Sequence, residues 1–190
     1  KYNEFLKIFL PVIVVVFVLF GSSLGGDFTL DDHSVIEKGV QLKSFKNTLE
    51  LWISPWHPGG EWAGNYRPLT TTSFAINSFF SEGPLGFRIV NVLLFALNIT
   101  LIFYLVRRLS TERVAYLTAI IFLFLPIHSE VVMSIVGRVY LLGTLFSLLS
   151  IHYLLENKYW VSSIHFLLAL LAGDVFISVI LIIGSLLLLE

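Results

Sequence analysis

The sequence predicts an all-α fold, a polytopic membrane helical bundle of about six transmembrane helices at roughly 20 apolar residues per crossing. A long first external loop carrying interfacial helices completes it. Three observations carry this reading. The 190 residues are 56% hydrophobic and only 13% charged, with a mean hydropathy of +0.87, whereas about 25% of a soluble domain is charged. The apolar residues are gathered into runs of span or near-span length. The lysines and arginines beside those runs fall on alternate turns, as they do when short loops are held in the cytoplasm. Six crossings and a loop of about 60 residues use up the whole chain. Residues 1–190 are therefore read as the N-terminal part of one transmembrane domain, with no separate soluble domain. The chain starts at Lys1 and stops at Glu190 directly after an apolar run, which reads as part of a longer membrane protein.

The first run, 5–24, is longer than the 7–15 apolar residues of a signal peptide and lacks a small-x-small cleavage site, so it reads as a retained helix. The polar stretch 25–85 follows. In it Leu42, Phe45, Leu49, Trp52 and Ile53 recur at helical spacing with Lys43, Lys46 and Glu50 between them, the pattern of an amphipathic helix lying in the interface. Trp52, Trp56, Trp62 and Tyr66 add headgroup-level aromatics, either as a lipid belt or as substrate contacts. A Gly- and Pro-rich turn, 55–64, leads to a second stretch starting near Pro68. Four further runs are clear, 86–105, 114–127, 131–155 and 159–171, and a shorter sixth covers 175–189.

Twelve basic against 13 acidic residues leave a formal charge of −1, so the basic excess that would mark a nucleic-acid partner is missing. The lack of cysteine excludes a disulfide framework and a thiolate metal site.

Lys1 and Lys7 flank the first run, Arg107, Arg108 and Arg113 fill the turn between the second and third, and Lys158 lies between the fourth and fifth. If every run crosses, these places share the cytoplasmic side. The opposite side then receives Asp27, Asp31, Asp32 and His33, followed by His57, Glu61, Tyr66 and Arg67, then His128 and Glu130, and finally Asp174. An ionisable group at the edge of hydrocarbon costs a few kcal/mol unless paired or hydrated, so this sorting points to a polar cavity on the external face. Asp31 and Asp32 are either a solvated turn or carboxylates able to take a proton from a hydroxyl. Glu130, Ser134 and Arg138 are spaced to share one helical face, which would put Arg138 about 12 Å along a helix starting near Glu130. There Arg138 is either a structural arginine held by Glu130 or backbone carbonyls, or a bidentate ligand for an anion such as phosphate. His152 and His165 read as packed helix residues. Asn98-Ile99-Thr100 lies inside a span, where no glycan could be attached, and Asn77, Asn91 and Asn98 suit interhelical hydrogen bonds.

Four stretches in order carry a resemblance: Phe28-Thr29-Leu30-Asp31-Asp32; Tyr66-Arg67-Pro68-Leu69; Gly86-Phe87-Arg88-Ile89-Val90-Asn91-Val92-Leu93-Leu94 with Ala96-Leu97-Asn98; and Leu125-Pro126-Ile127-His128-Ser129-Glu130 followed by Ile135-Val136-Gly137-Arg138. Together they resemble the membrane half of the transmembrane and TPR repeat-containing (TMTC-like) O-mannosyltransferases and their bacterial and archaeal relatives, within the GT-C class of polytopic glycosyltransferases. The resemblance covers about 24–174.

The resemblance implies an inverting glycosyltransferase that moves a hexose, typically mannose, from a polyprenyl- or dolichyl-phosphate donor. The acceptor is a hydroxyl of a protein or glycan on the extracytoplasmic or endoplasmic reticulum lumenal side. It implies Asp31 and Asp32 as the catalytic acidic pair, and Tyr66, Arg67, His128, Glu130, Arg138 and Asp174 as substrate-binding positions. No metal ligands are assigned and a metal requirement is left open, the lipid-linked sugar phosphate being the donor substrate. TPR repeats follow the membrane half in eukaryotic members, and later helices help to close the donor groove, so residues 1–190 alone are expected to be inactive. Two positions depart from the pattern: relatives commonly carry Lys-Glu where this chain has Gly173-Asp174, and a histidine where it has Phe95. The buried charges also suit a transporter or flippase, and the missing lysine suits a non-catalytic scaffold. Against a transporter, the sequence has no inverted repeat.

Overall fold

The computed structural model describes residues 2–37, 52–53, 65–81 and 83–187, and among them the chain is helical without strands. The expected amphipathic helix around Leu42, Phe45 and Leu49, and the turn with His57 and Glu61, lie outside the described residues. Helix α1 is Tyr2–Phe20, continued by a tight turn, Gly21–Gly25. A wide π turn, His33–Glu37, closes the loop after it. Then come α2 (Pro68–Phe80), α3 (Pro84–Leu109), α4 (Glu112–Phe124), α5 (His128–Met133), α6 (Arg138–Leu155), α7 (Tyr159–Ala172) and α8 (Val179–Leu187).

Local chemistry explains where these helices begin and end. Pro68 and Pro84 start α2 and α3, where a missing N–H costs nothing and φ is already set for a helix. Arg107 and Arg108 complement the dipole in the last turn of α3. Thr111 caps α4, its hydroxyl accepting the Val114 N–H at 3.4 Å. Asn157, at φ 59°, ends α6 in the left-handed conformation that asparagine tolerates.

Among the described residues, three helices are long and apolar enough to cross a membrane: Glu4–Gly25, Pro84–Leu109 and Arg138–Leu155. The expected third and fifth runs are shorter. At 13 and 14 residues, α4 and α7 reach only about 20 Å at 1.5 Å per residue, against a hydrocarbon thickness of about 30 Å.

Helix α3 is the central element. It packs on α1, α4 and α6, and α6 packs in turn on α7. Half of the α3 span is buried against about a tenth of α1, whose Leu10, Val14 and Val18 face outward. The core joins Val16 and Phe20 of α1, Phe95, Ile99 and Phe103 of α3, Ala115 and Ala119 of α4, and Leu141 and Leu142 of α6. Small residues allow the closest approaches: the Phe176 ring fills the place a side chain would take at Gly143.

The two ends of the bundle differ in charge chemistry. At one end Arg107 reaches Glu4 at 3.9 Å, while Arg108, His152 and Lys158 converge on Glu156 at 3.8, 3.3 and 2.7 Å. The Lys158 hydrogen bond holds the Glu156 carboxyl below the usual carboxylate range. These exposed pairs contribute little to stability. His165 bonds the Val161 carbonyl at 2.7 Å, so neither His152 nor His165 belongs to the opposite end.

The fourth run does not form the single helix expected of it. It divides into α5 and α6 around a turn at 134–137, and Arg138 opens α6 instead of lying along a helix from Glu130. Glu130, Ser134 and Arg138 therefore share no helical face. The break is stabilised from elsewhere: the Val136 N–H donates to Asp32 Oδ1 at 3.1 Å, and Asn91 Nδ2 donates to the carbonyls of Ser134 and Ile135 at 2.9 and 3.4 Å. Gly137 fits because a Cβ there would collide with the Val131 backbone.

Candidate functional site

The end opposite Glu156 is organised around the turn at 134–137. Asp32 reaches it from the loop after α1. Its side chain is fully buried, and besides the Val136 N–H it accepts from the Thr29 N–H at 3.3 Å and the Thr29 hydroxyl at 3.2 Å. Asp31, next in sequence, is exposed. The adjacent carboxylates are thus separated in role by their surroundings. Asp32 is bound by three neutral donors within the protein, and Asp31 faces outward. Leu30, at φ 46° and 89% exposed, sits in the tight turn that carries the pair, closed by Asp32 N–H to the Thr29 carbonyl at 2.9 Å.

Arg138 is also fully buried. Its Nε donates to Asn91 Oδ1 at 2.9 Å, Nη1 to the Ser73 carbonyl at 3.3 Å, and Nη2 to Asn77 Oδ1 at 2.9 Å and the Phe87 carbonyl at 2.8 Å. The guanidinium carbon lies 4.8 Å from the Phe74 ring centre and 5.5 Å from that of Phe87. Its acceptors are neutral oxygens, with Glu130 not among them. These are the contacts of a structural arginine, fixing α2, α3 and α6 to one another. Asn77 and Asn91 make the interhelical bonds foreseen for them, as does Asn98, which donates to the Leu141 carbonyl at 2.9 Å.

Arg67 and Asp174 meet at 3.9 Å. Thr70 places them, its hydroxyl bonding the Ala172 carbonyl at 2.9 Å so that the start of α2 adjoins the end of α7. Tyr66 donates to the Trp52 carbonyl at 2.5 Å. At Gly173 a Cβ would lie 2.8 Å from Val139 Cγ1, so the glycine lets α6 approach closely there.

His128 stands apart from these groups. Its ring lies 4.2 Å from Phe122 and 5.4 Å from Phe95, the residue that replaces the expected histidine. Burial holds its imidazole below the ordinary histidine range, and its Nε2 is enclosed without a hydrogen-bond partner. Glu130 is exposed on the next turn. Among the described residues, no three His or acidic side chains gather closely enough to hold a metal ion.

The structure thus brings Asp32, Arg138, Asn91 and Asn77 together at the turn, sets Arg67 beside Asp174, and seats His128 in an aromatic slot. The sequence reading assigned no role to Arg88. This residue of α3 is 3% exposed and donates to the carbonyls of Gly26 and Asp27, and through Nε to that of Met133 at 3.2 Å. The available signal was an arginine inside an apolar run, three residues before Asn91.

No family model matches this chain, and no solved structure does. Among curated proteins it is 35% identical over 158 residues to the human protein O-mannosyl-transferase TMTC4, covering 72% of this chain and 21% of that protein. It is 32% identical over 156 residues to Drosophila melanogaster protein O-mannosyl-transferase Tmtc2, covering 77% and 16%. To mouse protein O-mannosyl-transferase TMTC3 it is 32% identical over 146 residues, covering 72% and 15%. The chain spans about a fifth or less of the length of these relatives.

Proposed function

The chain belongs to the TMTC-like family of protein O-mannosyl-transferases, and on that premise we propose that it forms part of a glycosyltransferase site facing the extracytoplasmic or lumenal side. The donor in this reading is a polyprenyl- or dolichyl-phosphate hexose, most simply mannose, and the acceptor is a protein hydroxyl. Asp31 takes the hydroxyl proton as the acceptor oxygen attacks the anomeric carbon. The bond from that carbon to the phosphate oxygen breaks, and the lipid phosphate leaves with inversion at the sugar.

The observation that carries this assignment is the division of the acidic pair. A general base needs a carboxylate within reach of the substrate, and Asp31 is exposed while Asp32 is buried and triply bonded. Asp32 then positions the loop. Arg67, at the external end beside Asp174, is the cation assigned to the leaving phosphate, where preorganised charge is most effective. Tyr66 and Glu130, both exposed, are the side chains assigned to further substrate contact, and Arg138 fixes the helices beneath them.

The test is sugar transfer by the full-length protein from polyprenyl-phosphate mannose to an acceptor protein, with Asp31→Asn and Asp32→Asn beside the parent. Transfer lost in Asp31→Asn while folding is retained supports the reading. Transfer at the parental rate refutes it. Movement of the lipid-linked sugar across vesicles without transfer would establish a flippase, and failure of the parent in both assays a scaffold.

A further inference from the structure

We propose that Arg88 is a positioning residue that holds the loop carrying Asp31, acting at the opposite end of the loop from Asp32. This rests on the reading of Asp31 as the base.

The loop 26–32 is anchored twice. At its start the Arg88 fork grips the carbonyls of Gly26 and Asp27. At its end Asp32 accepts the Val136 N–H. Both anchors lead to the same place, because Arg88 Nε donates to the Met133 carbonyl at the end of α5, and Val136 lies in the turn that follows. Asp31 is suspended between two fixed points, one at the end of α5 and one within the helix break.

Gly26 gives independent support. A Cβ there would lie 3.0 Å from Arg88 Nη1 and 3.6 Å from Cζ, so an alanine would press the guanidinium out of place by a few tenths of an ångström. The loop also needs restraint. Leu30 adopts φ 46° while its side chain is 89% exposed, and a non-glycine residue in that region persists only where its surroundings determine it. A buried guanidinium spending its donors on three carbonyls in one small region is suited to that task. Its planar fork serves two adjacent carbonyls at once, which a lysine ammonium cannot match.

The experiment uses the full-length protein with Arg88→Lys, Gly26→Ala and the double variant. Residues 1–190 contain no cysteine, so Leu30→Cys gives a spin-label site in this region once any thiols elsewhere in the protein are replaced. Arg88→Lys is expected to lower kcat at least tenfold, leave the donor and acceptor KM within twofold, and sharpen the label's spectrum at position 30. Gly26→Ala should reproduce that signature, and the double variant should be no worse than Arg88→Lys alone, as coupled contacts require. A parental kcat with an immobile label in Arg88→Lys overturns the proposal, as does a tenfold rise in donor KM with an immobile label, which would make Arg88 a substrate ligand. If Arg88→Lys fails to fold, Gly26→Ala with the same label decides by the same criteria. Transfer surviving in Asp31→Asn while the label still loosens in Arg88→Lys would remove the base assignment and leave the clamp standing.

Discussion

Replacing Arg138 with lysine separates a structural from a ligand-binding arginine. An ammonium carries three donors on one nitrogen and cannot serve Asn91, Asn77, Ser73 and Phe87 together, since their acceptors lie around different edges of the guanidinium. One or two buried oxygens lose their donor, at about 1–3 kcal/mol each. The planar contacts with Phe74 and Phe87 weaken by about 1 kcal/mol more. The smaller ion recovers part of this by hydration, so a net loss of about 3 kcal/mol is expected, or roughly 6–12 °C of Tm for a unit of this size. Ser147 provides the reporter: it is buried with an unpartnered hydroxyl, so Ser147→Cys introduces a thiol whose reaction with a fluorogenic maleimide follows opening of the bundle. Arg138→Lys with an unchanged midpoint and a weakened donor KM would refute the structural account and make Arg138 an anion ligand.

Three further outcomes follow from the same contacts. His128, with its pKa lowered from 6.5 by burial, is neutral in the fold. Stability should fall as pH drops from 6.5 toward the folded-state value, because only the unfolded chain gains the proton in that window. His128→Phe should remove this part of the pH dependence in parallel melts. Gly143→Ala pushes a methyl into the Phe176 ring, and overpacking of this kind costs about 1–3 kcal/mol, read by the same thiol assay. Asp32→Asn keeps one acceptor oxygen for three donors, so it should lower the midpoint, again by about 1–3 kcal/mol.

The helical class and the gathering of polar groups at one end were legible because both depend on local pattern: apolar runs, cations at alternate turns, prolines at helix starts. The break at 134–137 was not. Its unpaired Val136 N–H is satisfied by Asp32, 104 residues earlier, and its free carbonyl at Ser134 by Asn91, 43 residues earlier. Gly137 was the sole local hint, and the apolar pattern across the break favoured one continuous helix. Arg88 was hidden for the same reason, its carbonyl partners lying 61 and 62 residues away. The acidic pair was visible as one base and one orienting carboxylate, but the sequence could not say which neighbour was which. That difference rests on the burial of Asp32 against Val136, 104 residues away, a contact only the folded chain reveals.

The most direct measurement is the rate of mannose transfer by the full-length protein carrying Asp31→Asn, taken with its unfolding midpoint. The account predicts a kcat reduced at least about 100-fold, the scale of general-base catalysis, with a parental midpoint because the exposed carboxylate holds nothing in place among the described residues. Parental transfer by Asp31→Asn, or loss of transfer only in step with unfolding, would contradict it.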